Sequence, residues 1–162
     1  MRKEILKLLE TNSRLTPAEI AAMLGLEEAD VASEIKKMED EQIICGYQTL
    51  INYDKLGDEH VSALIGVKIS PVRGEGFNRI ATRISKFDEV KSVYLMSGSS
   101  SDLILSIEGD SLKEISQFVY EKIAPMDTVV STATYFVLKK YKEHRVDLTE
   151  GSVEDKRIEG MA

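Results

Sequence analysis

Through the first forty residues the apolar positions recur at intervals of three and four, and beyond residue 60 alternating stretches take turns with helical ones. In "RKEILKLLE" the residues Ile5, Leu8 and Leu9 fall at i, i+3 and i+4, the spacing of one buried helix face. "TPAEIAAMLG" carries fuller grammar. Thr16 is placed as N-cap, Pro17 at the first helical position and Glu19 as the far side of a capping box, and Gly25 suits the left-handed C-terminal conformation. After a short turn, Val31, Ile35 and Met38 mark the inner face of a third helix. "IICGYQTLI" then offers two short β-like runs about Gly46. Three helices with a small hairpin behind them predict a winged helix-turn-helix over residues 1–50. A trihelical unit used only for packing shares this periodicity.

The polar, glycine-containing "NYDKLGDEH" predicts a linker over 51–60. "VSALIGVKI" reads as a strand, and "GFNRIATRISKF" puts Phe77, Ile80, Ala81, Ile84 and Phe87 on one helical face. "VKSVYLM" and "DLILSIEG" are strands flanking "SGSSS". "SLKEISQFVYEKI" is helical through Leu112, Ile115, Val119 and Ile123, and "TVVSTATYFVLKKY" is a final strand. The order β-α-β-β-α-β over 61–142 predicts a ferredoxin-like domain, so the whole chain is expected to be α+β. The outer strands are apolar on both sides: Ala63, Ile65 and Val67 against Leu64, and Val130, Phe136 and Leu138 against Val129, Ala133 and Val137. A sheet with both helices on one face and apolar residues on the other implies a partner, and for identical chains a twofold stack of sheets is the expected solution. Residues 143–162 mix both charges with little periodicity and read as a C-terminal tail.

Composition narrows the field. The chain has 162 residues, 43% hydrophobic and 30% charged, as suits two small folded domains. Its 21 basic and 28 acidic residues give a formal charge of −7, which argues against indiscriminate attraction to phosphate or anionic lipid. The one cysteine, Cys45, excludes an intramolecular disulfide, and no basic stretch followed by an apolar core opens the sequence, so a cytoplasmic location and no membrane partner are expected. Cys45 and the two histidines, His60 and His144, supply no metal-ligand spacing, so neither metal nor cofactor is expected. Cys45 reads as a small packing residue and both histidines as solvated. "RGEGF" at 73–77 and the serine run lack the glycine and lysine spacing of a phosphate loop.

Taken in order, "LLETNSRLTPAEIAAMLGL", "EQIICGYQTLIN", "VKSVYLMSGSSSDLILSIEG" and "STATYFVLKKYKEH" resemble the Lrp/AsnC family of transcription regulators over residues 1–142. The resemblance implies an N-terminal domain that binds double-stranded DNA and a C-terminal domain that dimerises through its sheet. Dimers of such proteins gather into tetramers, octamers or larger rings, and a small effector, most often an amino acid, binds between dimers near the turn joining the second and third strands. By that resemblance the effector residues are Ser97, Gly98, Ser99, Ser100, Ser101 and Asp102, with Thr132 and Thr134. Chemistry agrees in part, since turn N–H groups can hold a carboxylate and Asp102 an ammonium. A Gly/Ser loop before an aspartate is also ordinary hairpin chemistry. Relatives are expected to have two residues between this glycine and aspartate, where this chain has Ser99, Ser100 and Ser101.

The third helix is where the pattern departs most. Relatives commonly carry Arg at positions matching Ala32 and Glu34. Residues 1–45 here hold six basic side chains against ten acidic. Acids in a first turn stabilise a helix by about 0.3 to 1 kcal/mol each, but the same helix start is what a helix-turn-helix presents to the groove. The DNA-binding candidates are Lys36 and Lys37 on the third helix, Arg14 and Thr16 before the second, Lys3 on the first, and Ser33, Asp30 and Glu34 as readers of base edges. With so few cations, one dimer is expected to bind weakly and several in one assembly usefully. Two alternatives stand beside this: an effector-binding assembly module with lost DNA binding, and a sirohaem-decarboxylase-like enzyme of similar architecture. The latter family uses His and Arg near haem propionates in the C-terminal domain, and residues 61–142 contain no histidine.

Overall fold

The computed structural model describes residues 1–70, 76–98 and 100–149; Ser99 of the expected effector loop, most of "RGEGF" and the tail from 150 lie outside the described residues. The chain divides into two compact units, Met1–Leu50 and Ile51–Ala162.

In the first unit, α1 spans Arg2–Thr11, α2 Pro17–Leu24 and α3 Glu28–Asp40. Ile5, Leu9, Ile20, Ala21, Val31 and Met38 form its core, with Leu8 and Ile35 half-buried at the margin. Local chemistry sets the α2 boundaries. The Thr16 hydroxyl accepts from the Glu19 N–H while the Glu19 carboxylate accepts from the Thr16 N–H, a closed capping box, and Pro17 opens the helix. Gly25 ends it at φ 65°, and Leu26 N–H bonds back to the Ala21 carbonyl, so the turn into α3 is short and fixed.

The hairpin expected about Gly46 does not form: among the described residues, 45–52 make neither helix nor paired strand. Two runs this short cannot sustain a ladder by themselves. The Tyr47 hydroxyl instead donates to Glu39 at 2.9 Å, tying the segment back to α3.

The second unit opens with a short helix, α4, Tyr53–Leu56, capped by Asn52 and closed by Gly57 at φ 81°. The stretch expected to be a plain linker is therefore partly folded. His60 is not solvated: its ring stacks on Tyr53 at 3.7 Å between centroids, and its Nε2 is buried 3.7 Å from Glu108. Strand β1, Val61–Ile69, leads to α5, Asn78–Ile84, then β2, Val90–Leu95, and β3, Leu103–Gly109. Helix α6, Leu112–Phe118, runs into a π-helical turn at Val119–Ile123 before β4, Val129–Phe136. The antiparallel order is β2-β3-β1-β4, the ferredoxin-like arrangement.

Ala63, Ile65, Val67, Leu103, Leu105 and Ile107 meet Ile80, Ile84, Ile115, Phe118 and Ile123 in one core. Leu112, expected on that face, is 54% exposed, because it lies in the first turn of α6, at the margin of the sheet. The parity expected for β4 is broken by an irregularity between Lys68 and Ile69 of β1: Ser131 faces Lys68 but Val129 faces Ile69, so Val129 joins Phe136 against the core. The opposite sheet face carries Leu64, Ile104, Ala133, Tyr94 and Tyr135; among them Leu64, Tyr94 and Tyr135 are 43%, 56% and 63% exposed.

Past β4 the chain forms a small hairpin, β5 Lys142–Glu143 with β6 Val146–Asp147, turning through positive φ at His144 and Arg145. The expected tail thus begins with structure. Among the described residues no helix is long and apolar enough to cross a membrane.

Candidate nucleic-acid interface and effector loop

Helix α3 buries Val31, Glu34 and Met38 and exposes Ala29, Ala32, Ser33, Lys36 and Lys37 together with the acids Glu28, Asp30, Glu39 and Asp40. Ala29, Ala32 and Ser33 are small and adjacent on the helix surface, so the backbone there can come close to whatever it faces. Lys36 is paired at 3.5 Å with Asp40, one turn on, and Lys37 lies 3.9 Å from Glu34; both remain largely exposed. Such surface pairs are weak and exchangeable, contributing about 0 to 1 kcal/mol, so both ammonium groups remain available to a phosphate. Lys3, Arg14, Ser33 and Asp30 are exposed as well. The Thr16 hydroxyl is committed to its capping box, donating to Glu19 at 2.8 Å.

Glu34 is the clear correction. Expected to read base edges, it is only 8% exposed and points inward, where the Arg2 guanidinium donates through Nε to its carboxylate. The same guanidinium grips Glu41 with two further bonds, at 2.6 and 3.0 Å. Arg2 therefore clasps the start of α1 to the middle and the end of α3. The pair of carboxylates raises the guanidinium pKa, and Arg2 in return holds the Glu41 carboxyl below its ordinary range. Two of the acids counted against DNA binding are thereby compensated inside the unit. Residue spacing gives no sign of this pairing, because Arg2 and Glu34 are 32 positions apart.

In the second unit the loop between β2 and β3 is held at both ends. Met96 N–H bonds to the Asp102 carbonyl, and Asp102 N–H to the Val67 carbonyl. The Asp102 carboxylate accepts from Ile69 N–H at 2.8 Å and from the Lys68 ammonium at 3.2 Å. The Ile69 N–H bond is the larger cause, and the Lys68 charge a smaller one, of a carboxyl pKa below its ordinary value. Ser97, Gly98 and Ser100 are exposed, while Ser101 lies over β1, where a Cβ placed on Gly66 would collide with its Oγ.

The structure does not gather all the expected effector residues within one chain. Thr132 and Thr134 pair with Val67 and Ile65, whose side chains face the helices. Lys68 and Gly66, which hold Asp102 and Ser101, belong to the opposite parity and the open sheet face. Sequence reasoning misses Lys68 because one cation among alternating strand residues carries no motif. Cys45 is also corrected: it is exposed, its thiol donating to the Gln42 carbonyl, and so it does not fill a core. Among the described residues no group of three or more His, Cys, Asp or Glu could hold a metal ion.

Comparison with known proteins places this geometry. Residues 3–39 match the AsnC-type helix-turn-helix domain, and residues 62–147 match the Lrp/AsnC ligand binding domain. The uncharacterized HTH-type transcriptional regulator YugG of Bacillus subtilis is 46% identical over 156 residues, covering 96% of this chain and 93% of the relative. The proline dehydrogenase transcriptional activator of Rhizobium radiobacter is 26% identical over 140 residues, covering 86% of this chain and 88% of its own. Among solved structures, transcriptional regulator NMB0573 of Neisseria meningitidis, in its L-Met complex, superposes with a TM-score of 0.70 at 26% identity, over 86% of this chain and 89% of that one. Both domains, in the same order and over nearly the full length of the relatives, establish that the chain belongs to the Lrp/AsnC family of helix-turn-helix transcriptional regulators.

Proposed function

We propose that this regulator reads double-stranded DNA with the outward face of α3 and answers to an amino acid held at the β2–β3 loop between dimers. The observation that carries the first half is the composition of that face. Ala29, Ala32 and Ser33 permit close approach to a groove, Lys36 and Lys37 follow on the same side, and the buried acid behind them is neutralised by Arg2. On this reading Ser33 meets a base edge and Ala32 a thymine methyl, while Lys36, Lys37, Arg14 and Lys3 meet phosphates. Glu27, Glu28 and Asp30 still crowd the helix start, so affinity of one dimer is low and several dimers acting together supply about 10² to 10⁴ more.

The open face of the sheet supports a homodimer. Leu64, Tyr94 and Tyr135 are the kind of contiguous apolar surface that a second copy covers, and tetramers or octamers follow from further contacts between dimers. Because Thr132 and Thr134 look away from Asp102 within one chain, an effector pocket using both draws them from different copies. The L-Met complex of the Neisseria regulator and the family's ligand-binding domain support an amino acid as the effector. We read the protein as a cytoplasmic regulator without enzymatic activity.

Fluorescence anisotropy with the protein's own upstream DNA, at several salt concentrations and with or without the twenty amino acids, tests the reading. Saturable binding that weakens with salt and shifts with an amino acid is expected. Absence of binding at low salt by an intact oligomer would leave the assembly-module reading instead.

A further inference from the structure

Lys68 occupies the very carboxylate that an amino-acid effector would need for its ammonium group. Of the Ile69 N–H and the Lys68 ammonium, both donors to Asp102, the first is fixed in the backbone, whereas the second rides on a flexible four-carbon stem. The side chains of Asp102 and Lys68 are 15% and 37% exposed, so the pair lies where solvent and a small molecule reach it. The same loop is held a second time: Ser101 is seated on Gly66, and the space a Cβ would need there is filled by its hydroxyl. Both attachments come from β1, and both lie on its open-face parity.

We propose that Lys68 is an internal stand-in for the ammonium group of the effector. A ligand bearing an ammonium displaces Lys68 from Asp102, and the carboxylate stays paired throughout the exchange because the Ile69 N–H keeps it oriented. This deepens, and rests on, the effector reading. It sets the ligand class: the molecule carries a primary or secondary ammonium, and an N-acylated amino acid, which has none, is rejected. Apparent affinity is lowered by the fraction of molecules in which Lys68 holds the site. For a partly exposed ion pair that competition amounts to about fivefold or less. Occupancy is also coupled to assembly. Lys68 stands opposite Ser131 of β4 on the open face, so its release from Asp102 redistributes a positive charge on the surface that a second copy covers.

The test compares wild type with Lys68→Met, Lys68→Gln and Lys68→Arg by calorimetric titration of each of the twenty L-amino acids, followed by the N-acetylated form of any that binds. Lys68→Met and Lys68→Gln are expected to bind up to about fivefold more tightly than wild type, Lys68→Arg no more tightly, and Asp102→Asn more weakly in either background. The N-acetyl form is expected not to bind. A silent wild type with a responsive Lys68→Met would support the stand-in in its strongest form. Wild-type binding that Lys68→Met and Lys68→Gln leave equal or weaker, at unchanged melting temperature and oligomeric state, would overturn the stand-in while leaving the effector reading in place. If neither wild type nor any Lys68 variant binds any of the twenty, the effector reading falls and the stand-in with it.

Discussion

Each half of the molecule turns on a carboxylate paired with a cation, and the two pairs differ in how they are held. Glu34 is tucked beneath α3 and gripped by an arginine that simultaneously holds Glu41, so three side chains are locked across two helices. Asp102 stands just before β3 on one backbone N–H and one lysine, within reach of solvent. The arginine's planar fork suits a permanent clasp, and the lysine's single mobile charge suits exchange. The head is thus built to keep α3, the proposed reading helix, in one attitude against α1. Under the exchange proposed above, the sheet domain is built to trade a partner.

The sharpest way to break this comparison is to damage each core separately. Ile20→Ala in the head and Ile107→Ala in the sheet domain should each lose about 2 to 5 kcal/mol. With only six buried apolar residues in its core, the head should lose DNA binding while the assembly persists in sedimentation; the sheet variant should lose assembly first. Equal loss of both properties in both variants would show that the two units do not fold independently.

Next in size is the charge on the reading helix. Replacing Lys36 and Lys37 together by Ala should lower DNA affinity for all sequences and reduce the salt slope by about 0.9 for each phosphate no longer neutralised. Arg2→Met, by contrast, should weaken discrimination between sequences and lower the melting temperature while leaving the salt slope as it was, since the Arg2 guanidinium is committed to Glu34 and Glu41 within the unit. A reduced slope for Arg2→Met would move that residue to the interface.

Thr16→Ala opens the capping box of α2 and should cost about 1 kcal/mol in thermal melting, with little change in salt slope. Smaller still is the pH response. The carboxyls of Glu19, Glu41 and Asp102 are all held below their ordinary values: Glu19 by its bonds from Thr16, Glu41 first by Arg2, Asp102 first by Ile69 N–H. A group with a depressed folded pKa contributes stability that is complete above its unfolded value and lost as pH falls through the folded one. Melting temperature should therefore be flat from neutral pH down to the ordinary carboxylate range and fall below it. Asp102→Asn should remove part of that acid-side loss.

Local chemistry explains why some of this is legible in the sequence. Thr16, Pro17, Glu19 and Gly25 act within one turn of their neighbours, so their spacing alone fixes α2 and the turn after it. Alternation and helical periodicity likewise place β1, α5, β3 and the buried residues of α6. The misreadings have physical causes of another kind. Glu34 reads as an exposed residue because an acid in a helix is usually solvated, and only the approach of α1 supplies the arginine that lets it be buried. His60 reads as solvated because nothing local announces a ring stacked on Tyr53 beside Glu108. The parity of β4 changes at an irregularity that alternation does not reveal.

By itself, then, the order and spacing of residues determined the three helices of the head and the β-α-β-β-α-β series, because these follow from periodicities and caps that operate over a few residues, while the family was legible only as a resemblance of whole motifs. Tertiary structure alone decided the charge pairings between distant residues. Arg2 meets Glu34 and Lys68 meets Asp102 across 32 and 34 positions, and pairings between residues that far apart in sequence are set by how helices and strands pack, which no local pattern encodes.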